Sequence, residues 1–549
     1  MIERTADLWW KNAIVYCLDA ETFADSDGDG CGDLPGLTDR IDYLAGIGVT
    51  CLWLMPFYPS VNRDDGYDIV DFLGVDPSLG TSADLVELVR TARDRGIRVI
   101  ADLVVNHTSD QHPWFQSARA DRDSPFRDFY VWADAPPPGA EKIEPVFPDA
   151  EEGVWTFDEE AGQYYLHHFY RHQPDLNVAN PAVRDAIAEV VGYWLQQGLS
   201  GFRIDAVPFL IETHGLASEP GRDPHELLRE LRAFASRRVG DQVLLGEVNL
   251  PPTGMREYFG GGEGDELQML FAFTVMQAMY LSFARGSAGP VAAALRELPP
   301  IPDACQWAHF VRNHDELTLD KLSEAERGEV FAAFGPDPSM QLFGRGLRRR
   351  LPPMVGGDAD RMRLAYSLLF SLPGTPVLFY GEEIGMAENL DIPGRISVRS
   401  PMQWAGNRPN GGFSDADPSQ LRRPLVDDPD YAPAAVNVAD QRRDPDSHLN
   451  WTERVIRTRR ECSEIGWGAW EVLDADDPAV LAIRYRWNRL TLLALHNLGE
   501  KKVTASLAAD DLDAERLEEV LGRGEHGPRP GGGLEISLPR YGYRWLRSS

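Results

Sequence analysis

Acidic, histidine and arginine side chains follow several short apolar runs of this sequence, such as "IRVIADLVV", "LSGFRID" and "QVLLGEV". They are Asp102, His107, Arg203, Asp205, Glu247, His314 and Asp315. The runs have the length and composition of buried strands, so these side chains would lie at strand ends. A single aspartate in such a place is as often the N-cap of the next helix. The repetition along the chain favours chemistry instead.

Asp205 and Glu247 suit the cleavage of a glycosidic bond with retention of configuration. That reaction uses two carboxyl groups about 5 Å apart, one attacking the anomeric carbon while the other protonates the leaving oxygen. The two residues come from successive predicted strands, and adjacent strands lie about 4.8 Å apart. Arg203 precedes Asp205 by two residues, so on a strand it points to the same side and would keep a nucleophile ionised.

The elements that must position these side chains alternate regularly along the chain. Apolar runs begin near residues 13, 49, 97, 199, 242, 267, 305 and 375, and amphipathic segments such as "SADLVELVRTARDRG" lie between them. Alternating strands and helices predict parallel βαβ units. We therefore predict an α/β fold, a (β/α)8 TIM barrel whose active site lies at the carboxyl ends of the strands.

Two stretches and the C-terminal part depart from this pattern. Residues 108–177 are rich in proline, aromatic residues and histidine and show no helical period, which predicts an inserted domain B over the barrel mouth. Residues 386–447 are irregular and would form loops at the same rim. Short alternating runs close the chain and predict an antiparallel β-domain. The predicted boundaries are 1–107 and 178–465 for the barrel and 466–549 for the β-domain.

The segment "DSDGDGCGD" places carboxylates at Asp25, Asp27, Asp29 and Asp33 with glycines between them, as a loop around calcium does. An EF-hand is excluded, because the twelfth residue of the loop is Gly36 rather than a glutamate. The closely spaced carboxylates repel one another, which favours a bound cation. An acidic surface turn without metal is the alternative.

Composition limits the partners. The chain of 549 residues carries 86 acidic and 54 basic residues, a formal charge of −32, which disfavours nucleic acid and anionic membranes but leaves a neutral substrate unaffected. Its five cysteines have no metal-type spacing and indicate free thiols in a reducing compartment. We find no signal peptide and no apolar run long enough to span a membrane, so we expect a cytoplasmic protein. The oligomeric state stays open, a homo-oligomer included.

The segments "DLVVNH", "GFRIDAV", "GEVN" and "VRNHDE" resemble, in the same order, those of the α-amylase superfamily, glycoside hydrolase family 13. The resemblance covers nearly the whole chain. It implies that Asp205 is the nucleophile, Glu247 the general acid/base and Asp315 a carboxylate that binds sugar hydroxyls and stabilises the transition state. It further implies that His107 and His314 hold hydroxyls of the same glucose ring, with core packing as the alternative.

The segment "RDDGYD" resembles the family's site for a chain-end glucose. The resemblance implies that Asp64 binds the non-reducing-end glucose and that Tyr67 stacks beneath it. Enzymes with this pair act on short α-glucosides from the chain end. A small sugar would then be the substrate.

The acidic loop resembles the family's calcium loop, in which the four aspartates would offer carboxylates and Cys31 its carbonyl oxygen. A second calcium site is implied by the side chains of Asn106, Asp175 and Glu212 together with the carbonyl groups of Phe209 and Leu210. The alternative for Asp175 and Glu212 is hydrogen bonding that fixes the insert. Calcium would be structural, and we expect no organic cofactor.

Within the family, "RDDGYDI", "HQPDLN", "CQWAHFVRNHDELTL" and "SPMQW" resemble segments of the trehalose synthases. That resemblance implies interconversion of maltose and trehalose by intramolecular glucosyl transfer, in which the freed glucose turns and attacks again before water does. It makes Arg395 and Arg399 candidates for holding the leaving glucose. Ala206, directly after the nucleophile, resembles the small residue of α-1,4-specific relatives.

Two other readings stay open. Trehalose synthases usually have Ala-Asn-Gln-Trp after the acid/base, whereas this chain has Val248-Asn249-Leu250-Pro251, which favours a hydrolytic α-glucosidase or trehalose hydrolase. The fold also serves non-catalytic scaffolds, such as the heavy chains of amino-acid transporters. Such scaffolds carry a membrane helix and typically lack the catalytic carboxylates, all three of which are present here.

Overall fold

The computed structural model describes residues 8–212, 223–508, 517–522, 526–528 and 533–548. Eight parallel strands close into a barrel, which confirms the predicted fold. They are β1 (Val15–Leu18), β2 (Cys51–Leu54), β3 (Arg98–Leu103), β4 (Gly201–Ile204), β5 (Val243–Gly246), β6 (Met269–Phe271), β7 (Gln306–Phe310) and β8 (Thr375–Phe379). Each strand pairs with its neighbours in the sequence, and β8 closes on β1. The carboxyl ends of all eight therefore surround one mouth.

Amphipathic helices cover the barrel. The longer ones are Ser82–Asp94, Pro181–Gln196, Glu226–Arg238, Phe273–Arg285, Gly289–Glu297, Glu324–Phe334, Ala359–Ser371 and His448–Glu461. The shorter helices of the chain, not all of which lie on the barrel, are Leu34–Asp39, Ile41–Ile47, Pro113–Ala120, Val207–Glu212, Pro252–Met255, Leu351–Met354, Val438–Arg443 and Glu464–Trp467. Local chemistry sets their starts: Thr81 forms a capping box, and Asn180 caps a helix that has proline at its first position.

The stretch after β3 leaves the barrel and forms a small lobe. Three short antiparallel strands, Trp132–Ala133, Trp155–Asp158 and Gln163–Leu166, make its sheet. The lobe also contains the helix Pro113–Ala120, where the sequence showed no helical period. That helix buries only Phe115 and Ala118, which is too short an apolar stripe to give a periodic signal.

Two further sheets complete the chain beyond the rim loops. A five-stranded antiparallel sheet contains Ala469–Leu473, Val480–Trp487, Leu490–Asn497, Leu517–Gly522 and Tyr543–Ser548, and a second sheet contains Val503–Leu507, His526–Pro528 and Leu534–Leu538. At the rim, Leu317–Thr318, Gln341–Leu342 and Gly346–Leu347 form a small sheet. Among the described residues, no helix combines the length and the apolar character that crossing a bilayer demands.

Candidate active site

The guanidinium of Arg203, fully buried near the end of β4, joins three carboxylates. Its Nη1 donates to Asp205 and to Asp102, each at 2.5 Å, and its Nη2 donates to Glu247 at 2.6 Å. Asp205 and Glu247 follow β4 and β5, which pair in parallel from Gly201 with Val243 onwards. The two carboxyl groups are therefore held close together on one cation at the barrel mouth, and retaining glycoside chemistry uses such a close pair.

The two carboxyl groups differ in proton affinity. Burial raises the pKa of Glu247 to about 7 against the opposing charge of Arg203, and the nearby Asp205 adds to the rise. Burial also raises the pKa of Asp205, to about 6, with Arg203 again opposing. Near neutral pH Asp205 is mostly ionised while Glu247 holds a proton in a large fraction of molecules. This difference suits Asp205 to attack as a carboxylate and Glu247 to protonate a leaving group.

Ala206 adopts a strained backbone conformation beside the nucleophile. Its φ is +49°, a left-handed value that costs about 1–2 kcal/mol for a residue with a Cβ. In that conformation its N–H donates to Oε2 of Glu247 at 3.2 Å, and its side chain lines the cavity. The strain positions the carboxyl of the acid/base.

Asp315 lies after β7 among three basic side chains. Its carboxylate contacts His314 Nε2 at 3.0 Å, Arg395 Nη1 at 2.5 Å and Arg399 Nη2 at 2.9 Å. Burial alone would raise the pKa of Asp315, but Arg395 foremost among these neighbours holds it well below its usual range. Asp315 is thus a permanent negative charge, suited to an oxocarbenium-like transition state.

Tyr67 stands between the catalytic carboxylates and two histidines. Its hydroxyl lies 2.7 Å from Nε2 of His314, and the two rings stack at 5.7 Å with an angle of 6°. His107 contacts the Tyr67 carbonyl oxygen at 3.3 Å and lines the cavity. His314 is fully buried, which lowers its pKa to about 4. It therefore fixes Tyr67 and Asp315, whereas His107, although almost fully buried, borders the cavity.

The two candidate arginines both contact Asp315. Arg395 also pairs with Asp64. Arg399 is fully buried and bonds Asp65, Asp315 and the carbonyl oxygen of His314. Arg399 therefore positions Asp315 from behind. Only Arg395 lines the cavity.

A cavity of about 440 Å³ opens above these residues, at the small end of ligand sites. The inserted lobe covers it through residues 144–147. Arg345, from the rim sheet, donates to the carbonyl oxygen of Val146 at 2.7 Å and so ties the lobe to the barrel. Phe147 stacks on Tyr170 at 4.4 Å. The cover is thus a packed, hydrogen-bonded structure.

A polar cluster that sequence reasoning missed lines the opposite wall. Asp320 accepts from the amides of Asn249 at 3.1 Å and Gln277 at 2.9 Å, and from Lys321 at 2.8 Å. Leu250 lines the same wall. The signal was present, because Asp320 and Lys321 follow Asp315 closely in the sequence "NHDELTLDK". The wall therefore offers a sugar both polar and apolar groups.

The acidic loop brings three of its carboxylates together. Oxygens of Asp25, Asp27 and Asp29 lie within 4.8 Å of one another, a spacing that suits a cation. The N–H of Cys31 donates to Asp29 at 2.7 Å, which tightens the turn. Asp33 instead accepts from the N–H of Gly36 at 2.6 Å and caps the helix Leu34–Asp39. Asp33 lies outside the group of three carboxylates, and its role as a calcium ligand stays a prediction.

At the second predicted metal site, Asn106 and Asp175 lie together. The Asn106 amide donates to Asp175 at 3.2 Å, and Asp175 also bonds His168. Within the described residues, Oδ1 of buried Asn106 has no hydrogen-bond partner, which suits a cation. Phe209 and Leu210 lie in the helix Val207–Glu212. The side chain of Glu212 lies outside the described residues.

The arrangement can be compared with known proteins. The profile of the α-amylase catalytic domain matches residues 18–325 and 348–468. This chain belongs to the α-amylase family. A sucrose hydrolase-like C-terminal domain matches residues 490–547.

Curated relatives within the α-amylase family cover most of the chain. It is 44% identical to the trehalose synthase of Pimelobacter sp. over 86% of this chain and 83% of that protein. It is 42% identical to the trehalose synthase/amylase TreS of Mycobacterium tuberculosis over 98% of this chain and 90% of that protein. An oligo-1,6-glucosidase of Halalkalibacterium halodurans is 30% identical over 89% of this chain and 90% of its own length.

Solved structures of the α-amylase family share the architecture. The α-amylase of H. orenii superposes with a TM-score of 0.78 at 27% identity, covering 98% of this chain and all of that one. The trehalulose synthase MutB gives 0.77 at 26% identity, with 98% of this chain and 100% of that chain covered. The shared fold therefore extends over barrel, lobe and C-terminal sheets.

Proposed function

We propose that this protein interconverts maltose and trehalose by transferring a glucosyl group within one closed site. One observation carries the proposal: the Asp205, Glu247 and Asp315 carboxylates line a covered cavity of small volume. The identity of 42–45% to trehalose synthases over most of the chain supports this substrate choice within the family.

In the first step, an oxygen of Asp205 attacks the anomeric carbon of the bound glucosyl unit. The bond to the leaving glucose breaks, and Glu247 donates its proton to the departing oxygen. Arg203 keeps Asp205 ionised, and Asp315 stabilises the positive charge that develops on the sugar ring. The product of this step is a glucosyl ester on Asp205 and a free glucose.

In the second step, the free glucose turns in the cavity and presents a different hydroxyl. Glu247, now a carboxylate, removes the proton from that hydroxyl as its oxygen bonds to the anomeric carbon and the ester to Asp205 breaks. Attack by the anomeric hydroxyl gives trehalose, and attack by the 4-hydroxyl gives maltose. Water must stay out of the cavity while the glucose rotates, and the inserted lobe that covers the cavity would exclude it.

Hydrolysis is the second candidate function, and the wall formed by Leu250 favours it. An apolar side chain there cannot hydrogen-bond a retained glucose, so release of that glucose and attack by water would compete with transfer. The cluster around Asp320 acts the other way, because its polar groups can hold sugar hydroxyls. We expect transfer to lead, with appreciable hydrolysis beside it.

We also propose calcium as a structural ion, held by Asp25, Asp27 and Asp29 and, at a second place, by Asn106 and Asp175. Bound there, it would neutralise clustered carboxylates and stabilise the loop after β1 and the root of the lobe. A cytoplasmic location is part of the proposal, supported by the free thiols of all five cysteines. The oligomeric state stays open.

The test is to incubate the protein separately with maltose and with trehalose and to follow maltose, trehalose and glucose by chromatography from the earliest times. We expect each disaccharide to give the other together with some glucose. If glucose alone forms from both, the protein is a hydrolase and the transfer proposal is wrong. Consumption of sucrose but of neither disaccharide would keep the mechanism and refute the substrate choice.

A further inference from the structure

A second cavity of about 340 Å³ lies behind the active cavity. It is bounded by residues 62–65, Tyr170, residues 393–396 and the pair Arg422 and Arg423. Several charged side chains line it and its volume admits several waters, since a water occupies about 30 Å³, so we expect it to hold water in solution. It is a reservoir of the one molecule that an intramolecular transfer must exclude.

The two cavities share two lining residues, Asp64 and Arg395. These residues form an ion pair with each other. These two side chains therefore stand between the two cavities, and they can separate by rotamer changes without a movement of the fold.

Several contacts hold Arg395 in place. Besides Asp64, it bonds Asp315 at 2.5 Å, and its guanidinium lies 5.0 Å from the ring of Phe147 and 5.8 Å from that of Tyr67. Gln173 holds the other oxygen of Asp64 at 2.8 Å. The planar guanidinium reaches both carboxylates at once, which a lysine ammonium does not match.

We propose that Arg395 is a gate that closes a rear water passage into the active site and so sets the ratio of hydrolysis to transfer. The proposal rests on the glucosyl transfer proposed above. Asp64 and Glu247 line the same cavity, so water admitted beside Asp64 can reach the acid/base. There its oxygen bonds to the anomeric carbon, the ester to Asp205 breaks, and Glu247 takes the proton.

The experiment compares the initial ratio of glucose to trehalose formed from maltose in three variants. Arg395→Lys leaves one point charge for two carboxylates and opens the gate, so the ratio should rise about fivefold or more. Ile396→Trp fills the rear cavity, which Ile396 lines, and should lower the ratio about twofold. Ile396→Phe is the milder substitute if the tryptophan variant does not fold.

The matched control is Tyr164→Ala, in the sheet of the inserted lobe and in the wall of neither cavity. Its ratio should equal that of the unaltered protein. A purely structural role of Arg395 or Ile396 would lower both products together and leave the ratio unchanged. Unchanged ratios in the Arg395 and Ile396 variants, with trehalose still formed, would overturn the gate.

Failure of the transfer proposal can be distinguished from failure of the gate. If the unaltered protein makes no trehalose, the gate is tested with an activated aryl α-glucoside. The phenol that this substrate releases does not attack the glucosyl ester again, so water is the acceptor. Under substrate saturation, hydrolysis of the Asp205 ester should then be faster in Arg395→Lys and slower in Ile396→Trp. Equal rates in the two variants would refute the passage.

Discussion

Replacing Arg203 by methionine tests how the site keeps its nucleophile ionised. The guanidinium contacts Asp102, Asp205 and Glu247, and its side chain is almost fully buried. Methionine fills similar space without charge. The buried carboxyl groups of Asp102 and Asp205 and the partly exposed one of Glu247 then lose their shared cation, which should lower the free energy of unfolding by about 3–5 kcal/mol, mostly through the two buried groups.

The pKa of Asp205 should rise in the same variant. It is about 6 with Arg203 present, where burial raises it and the guanidinium opposes the rise. Loss of an adjacent opposite charge raises a carboxyl pKa by about 1–3 units. A rise of about two units would cut the ionised fraction at pH 7 from about nine-tenths to about one-tenth, a roughly tenfold loss of nucleophile.

The assay is kcat/KM between about pH 5 and 9 on an activated aryl α-glucoside, which reports the free enzyme. Its good leaving group removes the need for protonation by Glu247, so the acidic limb reports Asp205. Activity is lost as pH falls through the pKa of Asp205, so the limb should begin at higher pH in Arg203→Met.

The control is Arg203→Lys, which keeps a positive charge and should move the limb by less than about one unit. Chemical denaturation establishes that each variant is folded. A folded methionine variant with its acidic limb still near pH 6 would show that Arg203 does not govern Asp205. If methionine abolishes folding, a lysine variant with a limb moved by two units or more would refute the reasoning.

Four further outcomes follow from the site and the fold. Asp205→Ala should fold and lose nearly all activity; a fluorosugar label found on another residue would contradict its role. Glu247→Gln should lose about 10²–10⁴-fold on disaccharides but little on activated aryl glucosides, and equal losses on both would be the contrary result. Burial raises the pKa of Glu382 to about 8, so its stabilising contribution is complete below its unfolded pKa and is lost as pH rises towards 8. Glu382→Gln should therefore reduce the loss of unfolding free energy between about pH 5 and 8 by about 2–4 kcal/mol, measured by denaturation at each pH. Excess chelator should lower the melting temperature, and less so in Asp27→Asn; an unchanged melting curve together with no calcium by elemental analysis would refute the metal.

The sequence predicted the barrel because its signals are local. Each strand is a short apolar run buried on both sides, and each main helix carries its own stripe and cap, as Thr81 does for Ser82–Asp94. Carboxylates directly after such strands must meet at one mouth, since parallel strands share their carboxyl ends. The sequence alone therefore predicts that the carboxyl groups of Asp205 and Glu247 lie close together.

The helix Pro113–Ala120 was missed because it is too short to show a helical period. Other features depend on residues far apart in the chain, so no local pattern could reveal them. Arg395 pairs with Asp64 across 331 positions of the chain, a contact that no local pattern shows. The burial of Arg399 behind Asp315 likewise follows from packing.

The residue types and their order in the sequence thus determined the barrel, the carboxyl pair and its chemistry. Tertiary structure decided whether each carboxyl group is protonated near neutral pH, because the pKa values of Asp205 and Glu247 depend on burial and on one shared guanidinium. The cover of the cavity and the wall between Asp64 and Arg395 were also decided there. Enclosure is a property of surfaces that meet only when distant segments of the chain pack together.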